Sequence, residues 1–69
     1  MRYAVVVEKT GNGYSAYVPD LPGCIAAANT RVETERLIES AVREHVQLLR
    51  EGGDPVPQPT TRASVVEVA

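Results

Sequence analysis

The sequence predicts an α+β fold of β-β-β-α-β order, a small antiparallel-type sheet with one helix packed on one of its faces. Three observations carry the expectation. Short β-branched runs near the N-terminus are cut by Gly- and Pro-rich turns. One stretch of about 20 residues repeats its apolar side chains at helical spacing. A last β-branched run then closes the chain. At 69 residues there is space for one core only, so residues 1–69 are expected to form a single domain, with no C-terminal DNA-binding domain.

Arg2 to Lys9 (RYAVVVEK) is rich in β-branched residues and free of Gly and Pro, which predicts the first strand. Thr10–Gly13 (TGNG) brings two glycines and an asparagine, residues that tolerate positive φ, so a hairpin turn follows. Tyr14–Val18 returns as the second strand. Alternation sets Tyr3, Val5 and Val7 on one face with Tyr14, Ala16 and Val18, and leaves Ala4, Val6 and Tyr17 on the other. Pro19-Asp20-Leu21-Pro22-Gly23 ends that strand, with Pro22-Gly23 as a tight turn and Asp20 as a cap for local amides. Cys24–Ala28 has some helical character in its alanines, but five residues between turn and cap fit a third strand better.

Thr30 opens the helix, with Glu33 three residues on in capping-box position. Leu37, Ile38, Ala41, Val42, His45, Leu48 and Leu49 make the apolar stripe, and Glu39 and Arg43 pair on the other side. Gly52-Gly53 supplies a residue for the left-handed stop. Asp54–Thr60 alternates proline with other residues and should run extended. Ser64–Val68 within Thr61–Ala69 is strand-like enough to be the fourth strand.

Composition excludes several functions. The net charge is −2, Lys9 is the only lysine and the six arginines are scattered, so direct nucleic-acid binding is not expected. One cysteine and one histidine cannot build a zinc site or an internal disulfide. The apolar runs Ala4–Val7 and Cys24–Ala28 are far too short for a membrane span or a signal peptide, which leaves a cytoplasmic protein as the expectation. Catalytic machinery is equally thin. The acids Glu8, Asp20 and Glu67 fall one per segment, and most helix acids lie off the stripe. His45 reads as a packed histidine and Cys24 as a buried thiol. The glycines at 11 and 13 join two strands and open no helix, so they cradle no phosphate. No catalytic, metal or cofactor-binding residue is assigned.

Tyr14 to Gly23 (YSAYVPDLPG) followed by Cys24 resembles the N-terminal domain of HicB-like antitoxins, and the motif Pro19, Asp20, Leu21, Pro22, Gly23, Cys24 is its most specific part. The likeness continues through Ala27-Ala28-Asn29-Thr30, the helix to His45, and Gly52 with Pro55, Pro57 and Pro59, about residues 3 to 59. The resemblance implies a partial, catalytically degenerate RNase H-like fold and the neutralisation of a small HicA-type RNA-cleaving toxin. Ala28, Asn29, Thr34 and Arg36 depart from the residues common in that family, and the 69 residues hold no operator-binding segment of the kind many relatives carry.

Two further functions are set against that one: a stand-alone oligomeric module with another partner, and a small metal-dependent nuclease. Self-association as a dimer or tetramer is expected on its own account. Of 30 apolar residues, 11 are Val and 8 are Ala, and Trp and Phe are absent, so one chain has little burial to spare. Val6, Tyr17 and Asp20 are the candidates for contact with a partner or a second copy.

Overall fold

The computed structural model describes residues 1–69. Three strands form one antiparallel sheet in the order β1 (Val6–Lys9), β2 (Tyr14–Tyr17), β3 (Ile25–Ala28), and a 21-residue helix α1 (Arg31–Glu51) follows. At about 1.5 Å per residue the helix is roughly 31 Å long and overhangs strands of four residues. The register pairs Val7 with Ala16 and Ala16 with Ala26. That row faces the helix, for Ala16 is buried and Val7 and Ala26 pack on the core. Arg2–Val5 lead into β1 without pairing, so the first strand is shorter than its β-branched sequence suggests.

Each turn has a separate cause. Among residues 10–13 none takes positive φ, contrary to the expectation for this hairpin. Glycine is required at 13 for another reason: a Cβ there would run into the carbonyl oxygen of Ala28 on β3. After β2 the chain makes two turns in succession. Leu21 N–H donates to Val18 C=O at 3.1 Å, and Cys24 N–H donates to Leu21 C=O at 3.0 Å. Pro22 presets the second turn and Gly23, at φ +84°, completes it. Leu21 is thereby driven into the core, where it is fully buried.

The helix begins and ends where its caps stand. Thr30 is extended and its Oγ1 accepts from Glu33 N–H at 3.1 Å. At the other end Gly53 N–H donates to Arg50 C=O and Asp54 N–H to Leu49 C=O, with Gly53 at φ +72°. This is the paired Schellman closure, and it needs a left-handed residue. The apolar stripe is rotated from the one expected. Thr34, Ile38 and Val46 are its buried centre, whereas Leu37 and Leu48 lie on the flank, 45% and 60% exposed. Thr34 can occupy the centre because its hydroxyl donates to Thr30 C=O at 2.8 Å.

The core is small. Seven residues are buried, Ala16, Val18, Leu21, Cys24, Thr34, Ile38 and Val46, and this count supports little more than a marginal domain. Beyond the helix, residues 54–69 carry no regular structure, so the expected fourth strand does not form within the single chain. A β-branched run becomes a strand only where a sheet edge is in reach. Val56 packs on the core and Tyr3 Oη donates to Pro57 C=O, after which the chain is held at Asp20 and leaves the domain.

Candidate partner-binding face

The face of the sheet turned away from α1 has no layer of its own chain over it. Register places Val6 beside Tyr17 and Tyr17 beside Ile25, which makes one apolar row across all three strands. Along the row Val6 is half-buried, Tyr17 is 43% exposed and Ile25 is 71% exposed. Two of the contact candidates, Val6 and Tyr17, are thus brought together. Ile25 was missed, because its partner on β2 depends on the length of the turn from Pro19 to Cys24 and not on any local pattern.

Asp20 has a different position. Its Oδ2 accepts from the N–H groups of Thr60 and Thr61, both at 3.0 Å, and its Oδ1 accepts from their hydroxyls at 3.1 and 2.8 Å. The Thr61 amide first and the Thr61 hydroxyl next hold the carboxyl below its ordinary range, against an opposing effect of desolvation that outweighs either of the Thr60 bonds taken singly. Asp20 does cap amides, but those of a segment 40 residues away and not of its own turn. The signal for this was a Thr-Thr pair directly after the proline run, two adjacent side chains able to bond the same carboxylate.

The remaining candidates stand apart. Cys24 is buried in the core and burial pushes its thiol up, the environment of an inert side chain. His45 is half-buried beside Cys24, Ile25 and Leu48. Nowhere do three His, Cys, Asp or Glu side chains gather as they would around a metal ion. No helix is long and apolar enough to cross a membrane. The surface offers apolar area and ion pairs on the helix, Arg31–Glu35 at 2.9 Å and Glu39–Arg43 at 2.6 Å.

Residues 3–68 match the family described as HicB-like antitoxin of bacterial toxin-antitoxin systems. The chain is 33% identical over 58 residues to an uncharacterized 14.9 kDa protein of the rep-hol intergenic region of Haemophilus phage HP1. It is 32% identical over 59 residues to the UPF0150 protein Ta0767 of Thermoplasma acidophilum. Each alignment covers 84% of this chain, but 44% of the phage protein against 86% of the archaeal one. Among solved structures, a HicA3 and HicB3 toxin-antitoxin complex contains a chain similar at a TM-score of 0.72 and 33% identity, over 87% of this chain and 70% of that one. A crystal structure of antitoxin HicB3 is similar at a TM-score of 0.67 and 35% identity, over 83% of this chain and 42% of that one.

Proposed function

The chain belongs to the HicB-like antitoxin family, and we propose that it neutralises a small HicA-type toxin in the cytoplasm by binding it, without catalysis of its own. The reading is supported by the likeness to a HicB3 chain that occurs in complex with HicA3. The observation that carries it on this molecule is the uncovered row Val6, Tyr17 and Ile25, an apolar strip with a central tyrosine. Tyrosine gives a large contact area at low entropic cost and anchors many protein interfaces. Docking on this row leaves the helix and the core undisturbed.

Growth rescue tests the proposal. Induction of a HicA-type toxin should arrest growth, and co-expression of the chain should restore it. Tyr17→Glu should abolish rescue and co-purification while circular dichroism keeps its helix signal. Rescue by the Tyr17→Glu chain would move the docking surface elsewhere. Divalent-metal-dependent RNA cleavage by the purified chain, abolished by Glu8→Gln, would replace binding with catalysis.

A further inference from the structure

We propose that the C-terminal arm, residues 62–69, is a β-strand donated to a second copy of this chain, where it pairs with the free edge of β1 and fills the groove between β1 and α1. Independently of any toxin, this gives the self-association its physical form.

Four observations converge on it. The arm is the most exposed apolar part of the molecule: Val65, Val66 and Val68 are 97%, 81% and 85% exposed. A β-branched run in water with its amides unpaired is a strand without a sheet.

The acceptor is the second observation. β1 is an edge strand, and beside it an open groove of about 500 Å³ is lined mainly by apolar side chains, Tyr3, Val5, Val7, Ile38 and Val42 among them, together with three charged side chains of α1. One more strand on that edge would cover these side chains. Period-2 alternation places Ser64, Val66 and Val68 of such a strand on one face, which suits the apolar groove, and Val65 and Glu67 on the other.

The third observation points the arm away from its own groove. The chain passes beneath Tyr3, the lead-in to β1, where Pro57 is bound, and then reaches Asp20 after the central strand β2, where Thr60 and Thr61 are held by four hydrogen bonds. It is therefore carried across the end of the sheet, away from the β1 edge. A return to that edge would use part of the arm to reverse past β1 and leave fewer residues to pair.

Shape is the fourth. The radius of gyration is 13.4 Å and the longest extent 47 Å, against about 11 Å expected for a compact chain of this length. Eight extended residues reach roughly 26 Å, enough to span a neighbouring sheet edge. Exchange of identical arms between two copies closes the assembly under two-fold symmetry and leaves neither arm unpaired.

Light scattering on the full chain at micromolar concentration should report twice the mass of one chain. Deletion of residues 62–69, which removes no buried side chain, should return the single-chain mass with the helix signal intact. To locate the arm, chains carrying Val66→Cys are mixed with differently tagged chains carrying Val5→Cys and mildly oxidised; Cys24, being buried, stays out of the reaction. The expected product is a mixed-tag disulfide dimer, absent when Ala27→Cys on β3 replaces Val5→Cys. Any of three results would overturn the proposal: a full-length chain of single mass, a deletion variant that remains dimeric, or a Val66→Cys chain that couples to β3. An intrachain disulfide in the double variant Val5→Cys/Val66→Cys at dilution would overturn it as well, by returning the arm to its own edge.

Discussion

Asp20 is the residue through which a turn motif governs a distant segment. With its folded pKa held below the ordinary carboxylate value, the carboxylate is the form that the four donors hold. The contribution of the clamp is therefore complete above the unfolded value and is lost as pH falls through the lower folded one. Protection of the Thr60 and Thr61 amides, meaning exchange relative to the intrinsic rate at the same pH, should be high near neutrality and fall below about pH 4. In Asp20→Asn it should be low at every pH, and protection that persisted there would show the clamp to be dispensable. Gly13 makes a second residue-scale case. Because a Cβ at 13 meets backbone and one at 11 meets nothing within 4 Å, Gly13→Ala should cost about 1–3 kcal/mol in urea denaturation and Gly11→Ala less than about 0.5 kcal/mol. The Gly-Asn-Gly run was legible as a turn, but its reason was not. Close approach of the Ala28 carbonyl depends on the pairing of β2 with β3, which local residue preferences do not encode.

At the scale of elements, both helix ends were readable because each cap uses residues within a few positions of it. Thr30→Ala removes the oxygen that accepts from Glu33 N–H, and should cost about 1 kcal/mol. Gly53→Ala forces a side chain onto φ +72° and should cost about 1–2 kcal/mol by thermal or urea unfolding. The stripe between the caps was read less well. The expected stripe included Ile38, which is buried, but also Leu37 and Leu48, which are exposed, and it left out Thr34 and Val46, since the short sheet covers only part of the helix circumference. A threonine at the centre breaks a hydrophobicity count, and only its bond to Thr30 C=O explains its place. The fourth strand failed for a related reason. Ser64–Val68 has the local preference for a strand, but whether it pairs depends on which edge it can reach, and the clamp holds Thr60 and Thr61 at Asp20, beyond the end of β2.

For the molecule as a whole, charge and apolar surface compete as the source of affinity for the proposed toxin partner. A net charge of −2 has the favourable sign but is small. The helix interleaves its acids with arginines, and Glu35 and Glu39 are already paired with Arg31 and Arg43. Exposed charges of this kind are screened within about 10 Å at 0.1 M salt. The row Val6, Tyr17 and Ile25 is not weakened by salt, since burial of apolar area does not depend on screening. Raising salt from about 50 to about 500 mM should therefore weaken toxin binding by less than about tenfold. Tyr17→Ala at constant salt should weaken it by more than about tenfold. Titration calorimetry of the chain against the toxin, wild type and variant at both salt concentrations, ranks the two effects. The opposite ranking would place the docking surface on the charged face of α1.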